Sequence, residues 1–94
     1  MNGTGQALYQ RAKGRIPGGT QLLSKRPEMY LPGQWPSYYS RAQGAFVWDM
    51  DGRRYTDMSI SAVGACPLGF ADPDVNNAVK AAIDAGGMAT LTCP

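Results

Sequence analysis

Histidine is absent from this 94-residue sequence, which removes the usual general base and the commonest metal ligand. Like charges form no run among the nine basic and seven acidic residues, so the net charge of +2 indicates neither a nucleic-acid nor a membrane surface. Apolar runs fall well short of the roughly 18 residues that span a bilayer. We therefore expect no metal site, and any chemistry must come from carboxylates, lysines or thiols.

Cysteine is also scarce, with Cys66 and Cys93 far apart and outside any CxxC motif. Neither thiol has a histidine partner, and both are interpreted as packing residues. The N-terminus shows no charged segment followed by an apolar one, as a secretory signal would. The sequence therefore predicts a reduced, cytoplasmic protein.

Twelve glycines and seven prolines lie between the periodic segments and divide the chain into short elements. Residues 4–13 are predicted to form a short helix with Thr4 as N-cap and Gly14 as its stop. An Ile-Pro-Gly-Gly turn follows, and residues 20–34 are expected to form an extended loop that lies over another part of the protein.

Aromatic and β-branched residues then predict a strand meander over residues 37–43, 45–49 and 53–58, with a turn at Asp51 and Gly52. In the middle strand Phe46 and Trp48 face one side and Ala45 and Val47 the other. A strand that is apolar on both faces needs cover on both, which a chain this short can hardly supply.

Residues 59–69 are almost all small and are expected to pack closely against another backbone or a ligand. A helix from Pro73 to about Ala85 is predicted next, because apolar residues recur at helical spacing behind Asp72 as N-cap. These elements alone predict an α+β segment of a larger protein, with a complete small α+β domain as the alternative.

Three motifs in this order carry a family resemblance: IPGG at 16–19, GAFVWDMDGRRYTDM at 44–58 and LGFADPDVNNAVKAAIDAG at 68–86. Together they resemble the N-terminal segment of class III pyridoxal-phosphate-dependent aminotransferases, with the glutamate-1-semialdehyde 2,1-aminomutase branch most similar. The resemblance implies the N-terminal part of the small domain of a fold-type I transferase. It also implies pyridoxal phosphate as cofactor, an amino-group donor or acceptor as substrate, and a homodimer.

The same resemblance divides the chain into a helix and extended arm at 1–36, a β-meander at 37–58, an active-site loop at 59–71, and a helix with the start of the next element at 72–94. In the family, the Schiff-base lysine, the carboxylate facing the cofactor nitrogen and the main phosphate ligands lie beyond the matching segment. We therefore assign no catalytic or cofactor-binding residue here, and expect the fragment alone to be inactive.

Substrate-binding candidates by resemblance are Lys25, Ser61, Ala62, Val63 and Gly64. Lys25 occupies the place of a basic residue that meets the substrate carboxylate in the aminomutase branch, although an exposed loop lysine is an equally good interpretation. The other four lie in a loop that lines the mouth of the active site in the family. An aromatic residue typical of that loop is missing, and Phe70 replaces the family's histidine, which puts the semialdehyde substrate in doubt.

Two rival functions stay open. Aromatic residues interleaved with Arg41, Arg53 and Arg54 on the meander could form a small single-stranded nucleic-acid-binding module. Within the cofactor class, decarboxylases and epimerases share the fold-type I architecture. Asp49 and Asp51 are interpreted as strand-end and turn residues rather than as an acid-base pair.

Overall fold

A computed structural model describes residues 3–59, 62, 64–92 and 94 of the chain. The elements are α1 (Thr4–Lys13), two short 3₁₀ helices (Leu23–Lys25 and Pro27–Met29), β1 (Tyr39–Gln43), β2 (Phe46–Asp49), β3 (Arg54–Thr56) and α2 (Pro73–Asp84). This order of a short helix, a meander and a second helix confirms the predicted α+β class. None of the described helices is long and apolar enough to cross a membrane.

The N-cap of helix α1 lies one residue earlier than the sequence predicts. Its N-cap is Gly3, which has no side chain, so the assignment of Thr4 as N-cap is wrong. The capping group comes instead from the β2–β3 turn, where the Asp51 carboxylate accepts a hydrogen bond from the Thr4 backbone N–H at 2.9 Å. The Thr4 hydroxyl also donates to Asp51. A carboxylate at this position complements the helix dipole.

The arm after α1 is less extended than expected, because two 3₁₀ helices occupy its middle. It folds back onto α1, where the Tyr9 hydroxyl donates to the Glu28 carboxylate at 2.8 Å. Tyr9 is only 4% exposed and is the one buried large hydrophobic residue in the described part of the chain. Further along the arm, the rings of Tyr30 and Trp35 stack with centroids 4.4 Å apart.

The sheet is an antiparallel meander with β2 in the middle. Trp48 lies opposite Arg41 on β1 and Arg54 on β3. Residues paired across strands share a face, so these three side chains lie on one face of the sheet. Phe46 joins them, since its ring meets that of Trp48 edge-on at 6.4 Å. The predicted placement of Phe46 and Trp48 on one face of the strand is therefore confirmed.

Helix α2 matches its prediction, and the Asp72 side chain accepts from the Val75 backbone N–H at 3.1 Å. Its apolar stripe is uncovered: Val75, Val79 and Ile83 are 47%, 50% and 63% exposed. Burying such a stripe is the main source of helix stability in proteins. The exposed stripe agrees with the expectation that these elements need further protein around them.

Candidate functional site

The small-residue loop is closed at both ends on the turn between β1 and β2. At its start, the Asp57 backbone N–H donates to the Ala45 carbonyl at 2.8 Å. At its end, Gly44 and Phe70 exchange two backbone hydrogen bonds, of 2.8 and 2.9 Å. The segment 57–70, called here the 57–70 loop, therefore begins and ends beside the same two residues, Gly44 and Ala45. Closely spaced ends of this kind are typical of an Ω-loop.

Close backbone contact fixes the returning end of the loop. A Cβ on Gly69 would lie 3.1 Å from the Gly44 Cα, and Gly69 has a φ of +91°, which disfavours any other residue. At the other end, the Asp57 carboxylate accepts from the Ser59 backbone N–H at 2.8 Å and fixes the first turn. The predicted close approach of this loop to another backbone is confirmed at Gly69.

Two of the four predicted pocket-wall residues can be placed. Ala62 and Gly64 are exposed, and both have positive φ, +56° and +77°. Positive φ costs an alanine about 1–2 kcal/mol, and such conformations concentrate at functional sites. Ser61 and Val63 lie outside the described residues.

A concave surface that encloses about 250 Å³ lies between the second half of the loop and the start of α2. The loop side contributes Cys66 and Leu68, and the helix side contributes Val75 and Asn76. Cys66 is a free, half-buried thiol. The Asp72 carboxylate also lines this surface, where it caps α2 by accepting from the Val75 backbone N–H.

Asp49 organises the β2–β3 turn. Its carboxylate is 5% exposed and accepts from the Asp51 and Arg53 backbone N–H groups, both at 2.9 Å, and from the Tyr55 hydroxyl at 2.9 Å. Burial raises the pKa of Asp49, but these hydrogen bonds and the Arg53 charge outweigh it and hold the pKa below its ordinary value. The carboxylate is thus a structural acceptor, and sequence reasoning missed its central role.

Asp51 has a separate task, because it joins the turn to α1. The hydrogen bonds from Thr4, together with the Arg53 guanidinium, outweigh burial and lower the pKa of Asp51. The aspartates of this turn are therefore fully used within the hairpin and the helix cap. An Asp-x-Asp-Gly pattern signals the turn, but nothing local signals the partner 47 residues away.

The lysines do not converge on the loop. Lys13 is exposed and lies 3.7 Å from the Glu28 carboxylate and 5.1 Å from the centre of the Tyr9 ring. Lys25 ends the first 3₁₀ helix and is exposed. No hydrogen bond or ion pair among the described residues joins Lys25 to Ala62 or Gly64.

Pyridoxal phosphate needs an amine for its Schiff base, a carboxylate at its ring nitrogen and donors around its phosphate. In the described ranges Lys13 is paired with Glu28, and Lys25 and Lys80 stand on the surface. Asp49 and Asp51 are committed to the turn and to α1. These residues do not fit the cofactor, so no chemical step through it is derived from them.

The aromatic face of the sheet is covered by arginines. The Arg41 guanidinium lies 4.3 Å from the centre of the Trp48 ring, and that of Arg54 lies 4.7 Å from the centre of the Phe46 ring. These are cation–π contacts, which stabilise the face of the ring they cover. A base that stacked on either of these two faces would have to displace the arginine.

Comparison with known proteins assigns the fragment to a family. A family model for class-III aminotransferases matches residues 31–93. The glutamate-1-semialdehyde 2,1-aminomutase of Heliobacterium modesticaldum is 38% identical over 81 residues, and that of Albidiferax ferrireducens is 42% identical over 78. These matches cover 86% and 83% of this chain but 18% and 17% of the relatives, so the chain spans less than a fifth of their length.

A solved structure agrees with these matches. The Sphingopyxis sp. MTA144 FumI protein, solved in its PLP internal aldimine form, superposes with a TM-score of 0.74 at 34% identity. The match covers 89% of this chain and 20% of the FumI chain. The resemblance inferred from the three motifs is confirmed: the chain belongs to the class-III aminotransferase family, whose members depend on pyridoxal phosphate.

Proposed function

We propose that the chain is the N-terminal portion of a pyridoxal-phosphate-dependent aminotransferase or aminomutase that acts on an amino acid or amino-carbonyl substrate. The complete enzyme works as a homodimer, and its Schiff-base lysine comes from residues outside these 94. Support comes from family membership, from aminomutase relatives that are 37–42% identical, and from a structural relative solved with PLP as an internal aldimine.

Within that enzyme, the 57–70 loop supplies part of the substrate pocket wall through Ser61, Ala62, Val63 and Gly64. The observation that carries this assignment is the closure of both loop ends on Gly44 and Ala45, together with the exposure of Ala62 and Gly64 between them. Its small side chains limit the size of the substrate and exclude water, and they transfer no proton. Lys25 is the candidate for the substrate carboxylate, which it would hold less specifically than a bidentate arginine.

The test uses the complete polypeptide, purified with pyridoxal phosphate and assayed with amine donors of increasing size. Substituting Ala62→Leu should raise KM for the larger donors several-fold and leave KM for the smallest unchanged, because only pocket volume is altered. Ala85→Leu, at the exposed end of α2, is the matched control. If the two substitutions changed KM equally for every donor, the assignment of the loop to the pocket wall would be contradicted.

The isolated 94-residue chain is expected to show neither cofactor absorbance nor transamination, since it lacks the groups that hold the cofactor. A yellow, active preparation of the fragment would contradict this. The alternative, a single-stranded nucleic-acid-binding module, would have to bind with an arginine already lying over one face of the Trp48 ring and another over one face of the Phe46 ring.

A further inference from the structure

Helix α1 lies between two parts of the chain and contacts both of them. On one side, the Thr4 backbone N–H and the Thr4 hydroxyl donate to the Asp51 carboxylate in the β2–β3 turn. In the described part of the chain, no other hydrogen bond or ion pair joins α1 to the meander. On its other side α1 contacts the arm, residues 14–36. One helix therefore links the turn of the meander to the arm.

The first turn of α1 holds the end of the arm. Gly5 is buried, and a Cβ at this position would overlap the Pro36 carbonyl oxygen. The Gln6 side-chain amide donates to the Gln34 carbonyl at 3.0 Å. The helix thus contacts the last residues of the arm with almost no space between the two backbones.

The middle of α1 holds the beginning and the middle of the arm. Tyr9 is buried, and its hydroxyl donates to the Glu28 carboxylate at 2.8 Å. A Cβ on Gly19 would lie 2.6 Å from the edge of the Tyr9 ring, so the turn at the beginning of the arm packs directly on this side chain. Because α1 holds the arm at its beginning, middle and end, we expect the two to move together.

The connection between the arm and β1 does not by itself fix the position of the arm. Ser37 lies at this connection and has a φ of +69°. A left-handed backbone is unfavourable for a serine and persists where surrounding contacts impose it. The Ser37 hydroxyl donates only to the nearby Trp35 carbonyl, which is itself part of the arm. Among the described residues, the hydrogen bonds that hold the arm and α1 on the sheet from a distance are those of Thr4 to Asp51.

We propose that Asp51 is a positioning residue, which through Thr4 and α1 sets the position of the arm relative to the meander. Lys25 lies on the arm, and the 57–70 loop follows the last strand of the meander. The same contact therefore sets the spacing between the two parts of the proposed substrate site. That consequence rests on the proposed function, whereas the positioning of the arm does not.

The experiment measures hydrogen exchange in the complete polypeptide at two places. One is the first turn of α1, and the other is residues 26–35, whose amides donate hydrogen bonds within the arm. Asp51→Ala should speed exchange at both places by about fivefold or more, which is the effect of losing a partly exposed hydrogen bond to a charged acceptor. Asp84→Ala removes the same charge from the exposed end of α2 and should change neither.

A second substitution separates positioning from simple capping. Gly3 is the N-cap of α1 and has no side chain, so Gly3→Ser supplies a local cap that needs no partner in the turn. Added to Asp51→Ala, it should restore slow exchange in the first turn of α1 but leave exchange in the arm fast. The proposal is overturned if the serine restores both places, since Asp51 would then act only as a cap. It is also overturned if Asp51→Ala leaves exchange in the arm unchanged.

A kinetic measurement separates a failure of this inference from a failure of the proposed function. Lys25→Gln should raise KM for alanine several-fold relative to KM for ethylamine, which lacks the carboxylate. The double variant Asp51→Ala, Gly3→Ser should shift the same ratio in the same direction, because it displaces Lys25. If only Lys25→Gln shifts the ratio, the inference is overturned. If Lys25→Gln has no effect, the proposed role of Lys25 fails, and the exchange measurement alone decides whether Asp51 positions the arm.

Discussion

Replacing Asp49 with asparagine should loosen the β2–β3 turn without changing its shape. The asparagine oxygen can still accept from the Asp51 and Arg53 backbone N–H groups, but as a neutral acceptor. The new amide nitrogen is a donor that faces the Arg53 guanidinium, another donor, which now lies 3.3 Å from the carboxylate. The substitution therefore removes charge while keeping volume.

The magnitude follows from the hydrogen bonds at this carboxylate. A bond to a charged acceptor is worth about 1 kcal/mol more than a neutral one, so two backbone bonds lose about 2 kcal/mol. The partly exposed pair with Arg53 adds at most about 1 kcal/mol. Local opening of the turn should thus become easier by about 2–3 kcal/mol, which corresponds to amide exchange that is about 30- to 150-fold faster.

Hydrogen exchange at residues 49–56 of the complete polypeptide measures this local opening of the turn. The measurement is suitable because it does not require a large protein to unfold in a two-state manner. Asp84→Asn, exposed at the end of α2, removes the same charge and should leave exchange in the turn unchanged. Exchange in Asp49→Asn within about twofold of wild type would refute the reasoning, since a factor of two is only about 0.4 kcal/mol.

Acid should have the same effect as the substitution. The pKa of Asp49 in the folded chain is below its ordinary value of 3.8, so its stabilising contribution is complete above that value and is lost as pH falls through the lower, folded pKa. Protection of the turn should therefore decline below pH 3.8 in wild type and less so in Asp49→Asn. Identical pH profiles would show that another group controls the turn.

Three further substitutions test other contacts in the complete polypeptide. Asp51→Ala should speed amide exchange in the first turn of α1, which it caps, and unchanged exchange there would contradict the cap. Gly69→Ala should cost about 1–3 kcal/mol of unfolding free energy more than Gly33→Ala, because both have positive φ but only Gly69 meets another backbone; equal losses would argue against close packing. Val79→Asp should lower the thermal unfolding midpoint and Lys80→Asp should not, because only Val79 lies on the apolar stripe of α2 that the rest of the protein is expected to cover. Similar midpoints for the two variants would mean that this stripe stays exposed in the complete polypeptide.

Local sequence signals were sufficient for the regular elements. Helix α2 follows from the helical spacing of its apolar residues and from Asp72, whose side chain does accept the Val75 N–H. The β2–β3 turn follows from Asp51 and Gly52, and Gly52 has the positive φ, +81°, that such turns need. In both cases the determining residues lie within a few positions of the element they form.

Features that depend on distant partners were missed. The cap of α1 is a carboxylate 47 residues away, so no pattern near Thr4 could indicate it. The pairing of Lys13 with Glu28 was not predicted either, because the helix period does not show that Glu28 returns to the same side. The 3₁₀ helices of the arm are only three residues each, too short to produce a period.

The candidate site was located by composition and interpreted by resemblance. Small residues indicated that the loop packs against another backbone, and Gly69 and Gly44 do so. The assignment of the loop to the wall of the substrate pocket rests on family resemblance, because Ala62 and Gly64 carry no functional group that would indicate a role.

The closure of the 57–70 loop on Gly44 and Ala45 makes the loop replaceable as a unit. Residues between the two anchoring points can change in number without moving a strand, because the entropy cost of a longer loop grows only logarithmically, by about 0.6 kcal/mol for each doubling. Natural variation or laboratory grafting can therefore exchange the middle of the loop while the hydrogen bonds of Asp57 and Phe70 preserve the meander. With the proposed pocket wall in the middle of the loop, substrate range and folding stability would depend on separate sets of residues.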